Sequence, residues 1–313
     1  MTEFLIRRLG LAFLVVLLTL IAQAALVRVL PGDPVRLVMG PRASEAFAAQ
    51  VRAEMELDLP VHEQVFNFVV RALRGDLGRD FLSSRPVASL IGDVLPHTLA
   101  LALTSLGMAI VLGLPLGVIA AAQPGGWLDQ VLGAISITFV TLPTYVIGLV
   151  GLLVFAVGLG WLPAIGAGDA ADPADYLRHL ILPASALALT WVGYLARLVR
   201  ASMLEVLSAP FIRTARAYGL PEWRVLFRHA LRNALIPTVA VLGVGLGNLL
   251  GGAIFVEFIF DRPGLGQLIF TSIGERNYPV VRGGVLTAAL MFVLANLLAD
   301  LVQRWLNPRL RSR

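Results

Sequence analysis

The chain has 313 residues, 58% of them hydrophobic and only 14% charged, with a formal net charge of +5. Soluble domains carry about 25% charged residues, so this composition excludes an ordinary soluble fold. Every Lys/Arg-type cation is an arginine and cysteine is absent; that excludes a lysine-dependent phosphate loop, Schiff-base chemistry, thiolate nucleophiles, disulfides and cysteine metal sites.

Several apolar runs reach the roughly 20 residues that a helix needs to cross a hydrocarbon layer about 30 Å thick. The expected fold class is therefore an all-α integral membrane protein. Positive charge in such a chain reflects arginines in cytoplasmic loops rather than nucleic-acid binding. The four histidines (His62, His97, His179 and His229) are scattered with no i, i+4 pair, so no metal is expected.

The first run, residues 9 to 27, is free of charge. Its basic start and Ala-Gln-Ala end also resemble a cleavable signal peptide. The run continues past that point to Val27, which favours a retained span. Residues 31 to 96 then form a long segment that reads as ordered, with two helix patterns. Ser44 can cap one that carries Phe47, Val51 and Met55 on one face. Pro60 can open another with Val61, Val65, Phe68, Val69 and Ala72, stopped at Gly75.

Five more runs follow, at 98 to 122, 131 to 157 with Pro143 as a kink, 178 to 197, 234 to 256 and 283 to 303. Thirteen arginines fall in the loops that are cytoplasmic if the N-terminus is inside, against four in the opposite short loops. The arginine bias thus places both termini in the cytoplasm and 31 to 96 outside. The spans are almost bare of ionisable groups. Ion-driven carriers bind their coupling ion to such groups within the bilayer. Glu257 and Asp300 lie near span ends, and Gln23, Asn248 and Asn296 read as helix–helix hydrogen bonds. Energy for uphill movement would have to enter from outside the bilayer.

Between the fourth and fifth spans lies a basic island, "SAPFIRTARAYGLPEWRVLFRHALRNALIP", at 208 to 237 with five arginines. Ser208 can cap a short helix with Pro210 at its second position, and Gly219 can end it as a left-handed C-cap. Pro221 opens a second helix. On it Trp223, Leu226, Phe227, Ala230 and Leu231 share one apolar face. Arg224, Arg228 and Arg232 form a separate stripe. From pattern alone, a hairpin lying on anionic membrane lipid accounts for this as well as a docking surface does.

"RTARAYGL" followed by "HALRNALIP" resembles the cytoplasmic signature loop of binding-protein-dependent ABC importer permeases. The similarity is to the first permease subunit of the dipeptide, oligopeptide and nickel branch. It rests on Arg213, Thr214, Ala215, Arg216, Ala217, Gly219 and Leu220, then on His229, Leu231, Arg232, Asn233 and Pro237. "LPGDPV", "GDLG", "HLILPA", "RLVRASMLEVL", "GGAIFVEFIFDRPGLGQLI", "NYPVVRGGVL" and "NPRLR" extend it nearly end to end. Tyr218 departs from the usual Lys, and Asn277 and Asn307 from the usual Asp, which puts any salt bridge at those positions in doubt.

The resemblance implies a coupling helix that inserts into a groove on an ATPase subunit, with Trp223 and Phe227 as aromatic anchors and Ala215 and Ala217 leaving room for the groove wall. It implies a bacterial inner-membrane transport subunit without its own ATP site. Its partners would be a homologous second permease subunit, two cytoplasmic ATPase subunits that bind ATP and magnesium, and an extracytoplasmic solute-binding protein. The expected layout is a first span at 1 to 30, a periplasmic helical segment at 31 to 96, a five-helix core at 97 to 306 with the coupling loop at 200 to 233, and a tail at 307 to 313. Short peptides are the expected solute. Nickel or another non-peptide solute, or an integral-membrane enzyme, are the alternatives. The sequence assigns no pathway residues.

Overall fold

The computed structural model describes residues 2 to 29 and 59 to 306. The helix expected on Phe47, Val51 and Met55, and Asn307 with the tail, lie outside these residues. The helices are α1 (Thr2–Val29), α2 (Val61–Leu73), α3 (Val87–Ala122), α4 (Trp127–Thr141), α5 (Thr144–Gly151), α6 (Pro173–Leu207), α7 (Pro210–Ala217), α8 (Leu231–Ile259), α9 (Leu265–Gly274) and α10 (Tyr278–Leu306). Each of the six charge-poor runs falls on helix. By length and apolarity, Val87–Ala122, Pro173–Leu207 and Tyr278–Val302 can each cross a membrane among the described residues, and the α4–α5 pair makes up to four. The stretches Gly10–Ala25 and Gly245–Ile259 are apolar but shorter.

At Pro143 the structure goes beyond the expected kink. The helix ends at Thr141, restarts at Thr144 and turns by 104°. Proline has no N–H to donate and drives the residue before it out of the helical region; Leu142 is accordingly extended, with ψ 131°. Beyond α5 the chain continues as a wide turn over Leu152–Gly158.

The chain divides into two compact units. The first comprises residues 1 to 98 and 263 to 293. In it α2 runs as expected, from Pro60 to a left-handed Gly75 at φ +80°. Val65 and Phe68 of α2 bury against Leu20 and Ala24 of α1 and Leu286 of α10. A second cluster joins Val87 and Ile91 to Leu265, Ile269 and Val280.

The turn from 76 to 86 is closed by its own hydrogen bonds. Asp80 accepts from the backbone N–H of Leu82 at 3.0 Å and of Ser83 at 3.1 Å, and from the Ser83 hydroxyl. Asn277, buried at the start of α10, also donates its amide to Asp80. The departure from the usual Asp at 277 therefore gives a donor facing a carboxylate instead of a second acid. Burial alone would push the Asp80 carboxyl up, but the hydrogen bonds from Ser83, Asn277 and Leu82 outweigh it and hold it below its ordinary value.

The second unit comprises residues 99 to 262 and 294 to 313. Its central element is α6, which packs on α4, α5 and α8. Asp172 caps α6 by accepting from the N–H groups of Ala174 and Asp175, and Pro173 sits in its first turn, where a missing N–H costs nothing. Glycines bring the backbones together, as is usual between membrane helices. A Cβ at Gly117 would lie 2.7 Å from the Ala196 carbonyl oxygen, and one at Gly193 would lie 2.8 Å from that of Ser136. Asp129, at the start of α4, receives both Nε and Nη2 of Arg200 on α6 and the Gly125 N–H. Glu257 lies near the end of α8, as expected, and is completely buried; so is Arg262 just beyond it, whose guanidinium lies 4.9 Å from the Tyr176 ring centroid.

Candidate functional site

The basic island folds as the expected hairpin, with its entry shifted. Helix α6 runs on to Leu207, so Ser208 caps the end of α6 and its hydroxyl donates back to Glu205 O at 2.7 Å. Ala209, not Ser208, is the N-cap of α7, and Pro210 is its first residue. The sequence signal failed here because Ser208 satisfies the preceding helix before it can serve the next.

The turn is as predicted. Gly219 has φ +73°. Its N–H donates to Arg216 O at 2.9 Å, and the Leu220 N–H reaches back to Ala215 O at 3.4 Å. These are the two bonds of a Schellman C-cap, and Leu220 supplies the apolar contact that accompanies it. Arg216 then closes the turn with a bidentate pair to Glu222, Nη2 to Oε1 at 2.6 Å and Nε to Oε2 at 3.2 Å. The sequence reading missed this lock, although both partners flank the glycine.

The second arm begins with one turn, Glu222–Arg224, then widens over Val225–Ala230 before α8. The wide turn alters the expected apolar face. Val225, Leu226, Ala230 and Ala234 are buried, while Trp223 and Phe227 are not. In a π turn the hydrogen bonds run i to i+5, which puts Val225 and Ala230 on one side and leaves the 3.6-residue count out of step.

Beneath the hairpin, Ile212, Ala215, Val225, Leu226 and Ala230 form one buried cluster with Val118 and Ala121 of α3 and Val199 and Met203 of α6. The hairpin's apolar side is thus occupied by the protein's own helix ends. Ala215 belongs to this underside, a correction to its expected place beside a partner's groove: it faces the cluster because α7 buries every third residue, Ile212 then Ala215. Ala217 is exposed, as are Arg213, Thr214 and Arg232, while His229 is half-buried.

The outer side carries four aromatics: Phe211 at 46% exposure, Tyr218 at 82%, Trp223 at 60% and Phe227 at 47%. Arg224 stacks on Trp223 at 5.2 Å. The Tyr218 departure places a ring at the tip, beside a glycine whose missing side chain would meet nothing within 4 Å. Sequence reasoning named Trp223 and Phe227 but not Phe211 or Tyr218; the density of aromatics around the glycine was the available signal. Among the described residues, no group of three His, Asp or Glu side chains comes together to hold a metal.

The fold has solved counterparts. It matches inward-facing conformations of the MetNI methionine ABC transporter with a TM-score of 0.59 at 22% identity, over 70% of this chain and 96% of the other. The glutathione transport system permease protein GsiC of Escherichia coli (strain CFT073) is 40% identical over 287 residues, 92% of each chain. GsiC of Salmonella typhimurium is 39% identical over the same share. The model of the binding-protein-dependent transport system inner membrane component matches residues 113 to 312, and that of the N-terminal part of such components matches residues 1 to 102. With both halves of the chain matched in order, the protein belongs to the family of binding-protein-dependent transport system inner membrane components, the permease subunits of ATP-driven importers.

Proposed function

We propose that this permease subunit forms half of the pathway for a small peptide-like solute, and that the hairpin at 208 to 237 is where an ATPase subunit docks. The observation that carries the docking role is the two-sided hairpin. Its underside is clamped to the ends of α3 and α6, and its outer side offers exposed aromatics around a bare glycine. A helix resting on lipid would turn its apolar face to the acyl chains; here that face is already filled by protein. Large aromatics are the usual anchors of protein interfaces.

The peptide-like solute is supported by relatives at 39–40% identity that are named for glutathione transport, glutathione being a tripeptide. In this reading the chain makes six spans with both termini in the cytoplasm. It works with a homologous permease chain, two ATPase subunits that hold ATP and magnesium, and an extracytoplasmic binding protein. The arginine bias supports this orientation.

The test is reconstitution of the whole complex with its binding protein. Hydrolysis of ATP should rise when the solute-loaded binding protein is added, and a labelled short peptide should enter the vesicles. Hydrolysis indifferent to the binding protein would overturn the importer assignment, and stimulation without peptide entry would overturn the solute class.

A further inference from the structure

Helix α6 is packed by α4, α5 and α8, yet its second half keeps one open face. Thr190, Tyr194, Arg197, Ala201 and Glu205 recur at i, i+4, i+7, i+11 and i+15, the spacing of a single helix face. From Tyr194 onward each of them is exposed. This face does not have the composition of one that meets lipid. On α10, by contrast, every exposed side chain between 281 and 300 is apolar: Leu290, Phe292, Leu294 and Leu298. Polar and ionisable groups within a membrane helix face a protein interior or a water-filled passage.

The polar groups on this face are uncommitted. The Thr190 hydroxyl is enclosed and bonds nothing, whereas Thr138, Thr141, Thr238 and Thr287 each return theirs to the carbonyl four residues back. Arg197 makes no hydrogen bond or ion pair among the described residues. Its neighbour Arg200 is taken by Asp129, and Glu205 stands eight residues on, about 12 Å along the axis. The acids between 31 and 58 belong to the segment that the arginine bias places across the membrane. Helix α8 adds an amide. A Cβ at Gly245 would lie 2.7 Å from the Trp191 ring, and one at Gly252 would lie 3.2 Å from Leu187, so this strip of α8 runs antiparallel along α6. Asn248 falls between the two glycines on the adjoining row. Its expected helix–helix hydrogen bond is not made among the described residues, and the side chain is exposed. Trp191 meets Tyr194 edge to face at 5.5 Å.

We propose that this face lines the inner half of the solute pathway, and that Arg197 draws a carboxylate of the peptide-like solute toward the cytoplasm. The proposal rests on the peptide-like solute argued above. It adds which residues of this chain the solute meets and with what chemistry. Arg197 ends the fourth apolar run, so it stands at the inner edge of the span, while Thr190 lies seven residues deeper, about 10 Å. A guanidinium fork matches a carboxylate. The Thr190 hydroxyl and the Asn248 amide supply the donors and acceptors that peptide groups need, and the ring of Tyr194 gives a surface along which a chain can slide. An exposed cation in hydrated surroundings attracts without trapping, which a passage requires.

The experiment uses the complete transporter in lipid nanodiscs, with and without a non-hydrolysable ATP analogue. The chain has no cysteine, so Tyr194→Cys and Asn248→Cys each give it one thiol to read. Two thiosulfonate probes are compared, one bearing a sulfonate and the other a trimethylammonium group. Each thiol should react in at least one of the two nucleotide states. At Tyr194→Cys the sulfonate probe should be favoured, because Arg197 stands one turn away, about 6 Å. A unit charge at that distance in water changes each rate by about threefold, in opposite directions. Adding Arg197→Gln should therefore lower the sulfonate-to-ammonium ratio about tenfold, and adding Arg197→Lys should keep most of it. Uptake of a labelled tripeptide per ATP hydrolysed should fall in the Arg197→Gln transporter and recover in part with Arg197→Lys. If Tyr194→Cys fails to assemble, Ala201→Cys, one turn beyond Arg197, carries the charge test.

A thiol that reacts in neither state of an assembled complex would overturn the proposal, because a side chain facing lipid, or sealed against the second permease chain, does not meet a charged reagent. A probe ratio that Arg197→Gln leaves unmoved would overturn the carboxylate role. Failure of the importer reading looks different, since ATP hydrolysis by the unsubstituted complex would then not respond to the binding protein, whatever the labelling shows.

Discussion

Substituting Gly219 separates docking from mere residence on the membrane. At φ +73° a β-branched residue meets its own backbone, at a cost of about 1–2 kcal/mol. No neighbour adds to this, because a Cβ at this position would touch nothing within 4 Å. The two Schellman bonds, at 2.9 and 3.4 Å, are what the strain puts at risk. The cluster of Ile212, Ala215, Val225 and Leu226 on α3 and α6 stays in place. Gly219→Val should therefore insert and accumulate normally, yet co-purify poorly with the ATPase and lose uptake. Asparagine tolerates left-handed φ, so Gly219→Asn keeps the turn and should retain more uptake than the valine variant. Replacing Arg224, Arg228 and Arg232 together is the opposing arm. A hairpin that only rests on lipid would be released by that triple change and indifferent to Gly219→Val. Normal uptake by well-expressed Gly219→Val protein would refute the coupling role.

Two further outcomes follow from the ion pairs and acids. In the wild-type turn at 76 to 86, Asp80 sits below its ordinary value, so its stabilising contribution is complete above about pH 4, the unfolded carboxylate range, and fades only as pH falls through the lower folded value. Asn277→Asp would set a second carboxylate against it and raise one of the two pKa values, so in that variant the protection of residues 78 to 87, taken relative to intrinsic exchange at each pH, should be lower at pH 8 than at pH 5; equal protection at both pH values would refute this. Asp129→Ala leaves Arg200 and the Gly125 N–H without their shared acceptor, so the melting temperature of the purified chain should fall, and Asp129→Arg with Arg200→Asp should recover part of the loss. Additive losses in that exchange would show that the pair does not couple the two helices.

How much was legible in the sequence depended on whether the signal was local. Charge-free length found apolar helix at each of the six runs, and among the described residues three of them, or four with the bent α4–α5 pair, are long and apolar enough to cross a membrane. Pro60, Gly75 and Gly219 were read correctly because proline fixes its own φ and lacks a donor, and glycine takes a positive φ at no steric cost. Pro143 was read too mildly. The break also depends on the extended Leu142 before it, and its 104° angle is set by packing that no single residue encodes. Ser208 misled because two helices compete for it. The apolar face of the second arm misled because the count assumed 3.6 residues per turn through a stretch that is wider. The Asp129–Arg200 and Asp80–Asn277 contacts join residues 71 and 197 positions apart, and nothing in either local sequence announces the partner.

The placement of the hairpin bears on how force could pass from an ATPase into this unit. Helix α6 has 35 residues, which at 1.5 Å each is about 52 Å. The hydrocarbon layer is about 30 Å thick, so α6 extends well past it. The hairpin follows directly on the end of that extension and is packed against it through Val199 and Met203. Further along, α6 is held to α3 at Gly117 and to α4 at Gly193 by backbone contacts too close to admit even a methyl group. It is also the most enclosed of the helices long enough to span, with 61% of its apolar window buried, against 28% for α3 and 11% for α10. A push on the hairpin cannot be absorbed by bending a loop, because no loop separates it from α6 beyond Ser208 and Ala209. Packed interiors transmit displacement rather than damp it. In the proposed coupling, load on the hairpin would enter along α6 and be shared with α3 and α4 at the glycine contacts, where a single added methyl is expected to change uptake without touching the hairpin.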